Sequence, residues 1–184
     1  EIIRKNKKII INKNKINNKF IGIIEILNNH NNIMQKCYYE LKSISLKYPP
    51  QKNENKFIYG KLIELSLINA FKQIGFNCIN LDDTHSCGSE YKNDIKMLNI
   101  NISIKGKLNK GGNIILINKK TTEIHDVKVE TLLCIINEGK LYFIPSNIVD
   151  NKKYIKEGVG TVEYKSSLIT MLNKCHKEYI YSFP

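Results

Sequence analysis

Four side chains stand out for the chemistry their types and spacing allow: Glu64, Asp94, Ser103 and Lys105. Glu64 lies inside a strongly apolar stretch, and Asp94 follows a polar segment. Ser103 and Lys105 belong to the alternating run Ile100-Asn101-Ile102-Ser103-Ile104-Lys105. Residues two apart on a strand share a face, so Ser103 and Lys105 point one way and Ile102 and Ile104 the other. Two carboxylates and an ammonium brought together form a phosphate-chemistry set. The carboxylates hold a hard divalent cation, and the ammonium orients a water or stabilises charge growing on a phosphate oxygen. Each residue also has a plainer reading: Glu64 as the flank of an amphipathic helix, Asp94 as a turn cap, and Lys105 as a side chain snorkelling from a sheet edge.

The elements that must position these residues are legible from periodicity. Phe57, Ile58, Leu62, Leu65, Ile68 and Phe71 recur at helical spacing, with Ile63, Leu67 and Ile74 widening the stripe, which predicts a helix over 56–74 stopped by Gly75. A short strand follows at Phe76–Ile79, then a polar loop over 81–93, then strands at 94–97 and 100–105. Gly111-Gly112 turns the chain into Ile114–Ile117, four β-prone residues expected as a central strand. The runs 132–136 and 140–144 straddle Asn137-Glu138-Gly139 and predict a hairpin. Before the site, residues 20–47 predict two amphipathic helices split at 28–32 and ended by Tyr48-Pro49-Pro50, and residues 1–19 read as a basic arm or a weak first helix. Residues 165–179 read as a final helix. The expectation is one α/β (α+β) domain spanning 1–184, with a helical N-terminal portion over about residues 1–50 serving dimerisation or DNA clasping.

The order helix-Glu64, Asn93-Asp94, Ser103-Ile104-Lys105 resembles the PD-(D/E)xK nucleases, the restriction-endonuclease-like superfamily. The resemblance covers roughly residues 57–118, and it departs from the pattern at Asn93 in place of Pro and at Ser103 in place of the acid. It implies a mixed β-sheet core flanked by helices. It implies Asp94, Glu64 and the backbone carbonyl of Ile104 as Mg²⁺ ligands, with Glu90 in reserve, Ser103 bonding a metal-bound water, and Lys105 orienting the attacking water. The function implied is that of a type II restriction enzyme, cutting double-stranded DNA to 5′-phosphate and 3′-hydroxyl ends as a homodimer. A cognate DNA methyltransferase is expected in the same system, without physical contact. DNA contacts are expected from Ser89, Lys92, Lys107, Asn109 and Lys110. Two alternatives stay open: a structure-specific or repair nuclease of the same fold, and a non-catalytic DNA-binding module in which Ser103 marks a lost site.

Composition points to a polyanionic partner. The chain has 184 residues and a formal net charge of +12, with Arg4 its one arginine. It holds 32 Ile, 24 Asn and 28 Lys, all spelled by A/T-rich codons, so part of the lysine excess is explained by an AT-rich genome. Five cysteines, at 37, 78, 87, 134 and 175, form no CxxC and read as free thiols of a reducing compartment. No secretory leader pattern and no membrane-length apolar run occur, so a bacterial cytoplasmic protein is expected. Gly111-Gly112 lacks the lysine and hydroxyl residue of a phosphate loop, and no Gly-x-Ser-x-Gly elbow occurs.

Overall fold

The computed structural model describes residues 2–81, 94–118, 129–158 and 160–184, and gives the backbone alone for 2–14, 117 and 118. Three helices open the chain. Helix α1 (Ile2–Asn28) runs unbroken through the lysine- and asparagine-rich start. Its buried positions Phe20, Ile23, Ile24 and Leu27 recur every three to four residues. The chain breaks at Asn29-His30, where His30 Nδ1 meets the Ile26 carbonyl at 2.8 Å and occupies one orphan acceptor of the helix end. Helix α2 (Asn31–Lys47) buries Met34, Cys37, Leu41 and Ser45 and stops before the prolines.

Helix α3 (Lys56–Ile74) has the expected bounds and a different buried face. Tyr59, Ile63, Glu64, Ser66, Leu67, Ile68, Ala70 and Phe71 are buried, while Phe57 (84% exposed), Ile58 and Leu65 face outward. The helix is apolar almost all round, so periodicity defines the helix but not which side packs. Gly75 ends it in the left-handed region, at φ 109°, with its N–H on the Phe71 and Lys72 carbonyls.

Next come strands β1 (Cys78–Asn80), β2 (Ile95–Met97), β3 (Ile100–Lys107), β4 (Ile114–Asn118), β5 (Glu130–Ile135) and β6 (Lys140–Ile144). A single helical turn, α4 (Asn151–Tyr154), precedes the strands β7 (Ile155–Gly158) and β8 (Thr161–Tyr164), helix α5 (Ser167–Cys175) and strand β9 (Ile180–Ser182). The six-stranded sheet runs β1-β2-β3-β5-β6-β9. Its pairs are antiparallel except β3 with β5, which is parallel. Strand β5 is buried from Thr131 to Ile135 and reads as a continuous apolar run because both its faces are covered.

One face of this sheet carries α1, α2 and α3 around Ile102, Ile104, Leu132, Cys134, Leu141 and Phe143. The other carries a three-stranded sheet, β4-β8-β7, together with α5, around Leu133, Ile135, Tyr142 and Ile144. Strand β4 is therefore not central, as its composition suggested. It is the edge of the smaller sheet, with Ile114 and Leu116 buried and Ile115 half out. The last helix is also shorter than expected, ending at Cys175, and the two strands at 155–164 were not anticipated. Among the described residues no helix is long and apolar enough to cross a membrane.

Candidate active site

Strands β2 and β3 are joined by a two-residue turn at Leu98-Asn99, both at positive φ (51° and 59°). That pair of dihedrals suits the twist of a tight hairpin. The backbone ladder between β2 and β3 ends at Ile95 opposite Ile102, with one more bond from Asp94 N–H to the Ile102 carbonyl at 2.9 Å. From there the Asp94 side chain takes over. Its Oδ2 accepts the Ile104 N–H at 2.5 Å and the Ser103 hydroxyl at 3.1 Å. The carboxylate is thus held against β3 at the point where β2 diverges, and charge-assisted bonds of this kind are stronger than neutral ones. The Asp94 carbonyl in turn accepts the Leu81 N–H at 2.9 Å, which ties β1 into the same corner.

Ser103 is fully buried, and its hydroxyl is given to Asp94. Lys105 is half-buried and pairs across the parallel ladder with Leu133, so its side chain shares Leu133's face of the sheet, opposite α3. No described residue hydrogen-bonds or ion-pairs with its ammonium. A half-buried ammonium without a partner among the described residues is placed to take a ligand's negative charge.

Helix α3 is seated on β3 through a close approach. A Cβ on Gly106 would stand 2.9 Å from Ile63 Cγ2, so only glycine admits Ile63 there. Glu64 is buried at 7% exposure, and its Oε1 receives the Lys61 ammonium at 2.9 Å. Lys61 was not singled out by sequence reasoning. Its signal was the three-residue spacing to Glu64, the separation of ion-paired neighbours on a helix. Gly106, a glycine inside a strand, was the other unused signal.

The expected DNA contacts divide. Ser89 and Lys92 lie outside the described residues, as do Glu90 and most of the 81–93 loop. Lys107 is engaged at home: its Nζ donates to the carbonyls of Gly111 (2.5 Å), Gly112 (2.9 Å) and Asn113 (3.3 Å), and burial pushes its pKa down. Asn109 Oδ1 accepts from Asn137 Nδ2 at 2.7 Å, pinning this turn to the β5–β6 connection, while Lys110 is exposed.

The donor set is all oxygen. Among the described residues no three His, Cys, Asp or Glu side chains converge. Of the two expected carboxylate ligands, Asp94 is bonded to β3 at Ser103 and Ile104, while Glu64 sits on α3, which covers the sheet face opposite Lys105; each is an oxygen donor of the kind Mg²⁺ takes. Cys37, Cys78 and Cys134 are buried free thiols, with burial pushing Cys37 to about 12 and Cys78 to about 11, so they are inert as ligands or nucleophiles. Compared with known proteins, the chain matches no family model, no curated protein and no solved structure.

Proposed function

We propose that this chain is a Mg²⁺-dependent endonuclease acting on double-stranded DNA. The observation that carries the reading is the corner at Asp94: a carboxylate clamped to β3 where its partner strand diverges, beside a half-buried lysine with no partner among the described residues. The order of helix, hairpin and Lys105 that resembles the restriction-endonuclease-like nucleases supports it, as does the net charge of +12. Asp94 and Glu64, with the Ile104 carbonyl, are the residues that would hold Mg²⁺. Bound there, the ion would polarise a scissile phosphate and acidify a water. Ser103 orients the Asp94 carboxylate through its hydroxyl. Lys105 supplies an ammonium to a phosphate oxygen, where it stabilises growing negative charge. Sequence-specific cutting by a homodimer of the type II restriction class is the finer form of the proposal, with the cognate methyltransferase as its genetic companion.

A non-catalytic DNA-binding module is the second reading. What favours it is Ser103 itself, a neutral group spent on Asp94 where the resembled motif has an acid. One experiment separates the two. Unmethylated phage or plasmid DNA is incubated with the chain in Mg²⁺ and in EDTA. Discrete metal-dependent fragments are expected, and Asp94→Asn and Lys105→Ala should each lower cleavage by about 10²-fold or more while the circular dichroism stays native. Full cleavage by either variant would sink the site assignment. Salt-sensitive binding without any cleavage would establish the binding module.

A further inference from the structure

The two faces of the six-stranded sheet are not covered equally. Over β5 and β6 the outer face packs against the small sheet and α5, around Leu133, Ile135, Tyr142 and Ile144. Over β1 and β2 the same face is open. There Ile79 pairs with Lys96 and Lys96 with Asn101, so three side chains form one row across β1, β2 and β3. Lys96 and Asn101 are exposed, and Ile79 is 43% exposed. Their neighbours along the strands, Cys78, Ile95, Met97, Ile100 and Ile102, are buried on the other face. A sheet face open to water is ordinarily polar, and solubility is served by both signs of charge. Strands β1, β2 and β3 instead carry Lys96, Lys105 and Lys107 and no acidic residue. The nearby lysines also differ in what they hold. Lys107 is engaged by the carbonyls of Gly111 and Gly112, and Lys19 by the Leu98 carbonyl at 2.6 Å, whereas Lys96 meets no partner among the described residues.

We propose that Lys96 and Asn101 hold the DNA phosphate next to the one seated at the Asp94 corner. The inference rests on the DNA reading of that corner and deepens it, naming the surface over which the strand arrives. Lys96 lies two residues after Asp94, and Asn101 two residues before Ser103, so the row shares the corner's face of the sheet. Two residues on a strand span about 6.6 Å, close to the step from one phosphate to the next along a DNA backbone. Side chains directly opposed on paired strands stand about 5 Å apart at Cβ, so the Lys96 ammonium and the Asn101 amide can converge on one phosphate. The ammonium supplies a compact positive charge, and the amide supplies two N–H donors. Ile79 ends the row with apolar surface for a deoxyribose. Lys105 lies two residues beyond Ser103 in the other direction, so the corner has a lysine on each side along the same face. The row touches phosphate and sugar alone, so it adds affinity and register and no choice of sequence.

The test is binding of fluorescent duplexes to the full chain in Ca²⁺, followed by anisotropy across a salt series, with Lys96→Ala, Lys96→Arg, Asn101→Ala and Lys72→Ala beside wild type. Lys96→Ala should weaken binding about 5-fold or more and lower the slope of log K against log salt by about 1, on every duplex sequence tried. Lys96→Arg should restore both. Asn101→Ala should weaken binding by about 3-fold and leave the slope alone, since it removes donors and no charge. Lys72 is exposed on α3, which packs on the opposite face of the sheet, so Lys72→Ala removes the same charge and should change neither quantity. Wild-type affinity and slope in Lys96→Ala, or an equal loss in Lys72→Ala, would overturn the row; the nuclease reading would still stand if Mg²⁺-dependent cleavage is lost in Asp94→Asn. An Asn101→Ala variant that binds as tightly as wild type would remove Asn101 from the row. Affinity that depends on Lys96 in a chain that never cleaves would uphold the row and remove the catalytic reading. A wild-type chain without salt-dependent affinity for duplex DNA would overturn both.

Discussion

A hydroxyl at Ser103 does something an acid there could not: it donates to Asp94 Oδ2 at 3.1 Å and adds no charge. Ser103→Ala should cost about 2 kcal/mol in urea unfolding, the loss of a bond to an ionised group. Ser103→Asp should be worse without metal, by about 3 kcal/mol, because two carboxylates would face each other in a buried corner. If the corner takes Mg²⁺, millimolar Mg²⁺ should raise the melting temperature of Ser103→Asp and move wild type less. A Ser103→Asp variant indifferent to Mg²⁺ in that assay would count against a metal here. Asp94, Ser103 and Lys105 were recognisable in the sequence because strand alternation fixes which residues share a face. Their mutual bonds were not, because alternation says nothing about where one strand parts from its neighbour and a side chain completes the ladder.

The β2–β3 hairpin turns on Leu98 at φ 51°, a conformation that costs a leucine and costs glycine or asparagine little. Leu98→Gly should stabilise the chain by about 1 kcal/mol in chemical denaturation, and a destabilised variant would mean that the half-exposed Leu98 side chain packs more than its turn strains. On the far side of the molecule Glu163 joins β4, β7 and β8. It accepts from Thr161 at 2.7 Å and Asn113 at 3.0 Å and lies 3.8 Å from the Lys156 ammonium. The Thr161 bond, then Asn113 and the Lys156 charge, hold its pKa below the usual value. A depressed carboxylate stabilises the fold above its unfolded pKa of about 4.3, and that contribution is lost as pH falls through the lower folded value. Stability measured from pH 6 down to pH 3 should therefore fall less steeply in Glu163→Gln than in wild type. The small sheet was the least legible part of the fold. Strands of four residues such as β7 and β8 carry too few alternations to stand out, and Ile114–Ile117 looked central because the run is apolar while its edge position depends on strands 40 residues further on. Helix α3 was legible as a helix and misleading as a face, since Phe57 and Leu65 are as apolar as Ile63 and Leu67.

Both halves of the core meet at β5. Leu132 belongs to the cluster under α1–α3 and Leu133 to the cluster under the small sheet and α5, and both are fully buried. Leu132→Ala and Leu133→Ala should each cost about 2–5 kcal/mol. Unfolding of each variant, followed by circular dichroism and tyrosine fluorescence, should remain a single transition, because one strand carries both clusters. Two separated transitions would show that the faces melt independently. The parallel joint between β3 and β5 also sets an order of events in time. The β2–β3 and β5–β6 hairpins close locally, within about 1–10 μs for elements of their kind. Pairing Ile102 with Glu130 instead requires the intervening chain to be gathered first, and that loss of freedom comes before any contact repays it. The Asp94 corner is finished early, as part of a hairpin, yet it has no stable floor until β5 docks. A newly made chain would therefore assemble its candidate chemistry before the body that protects it, and its most aggregation-exposed moment is the interval in which β3 waits with one edge open.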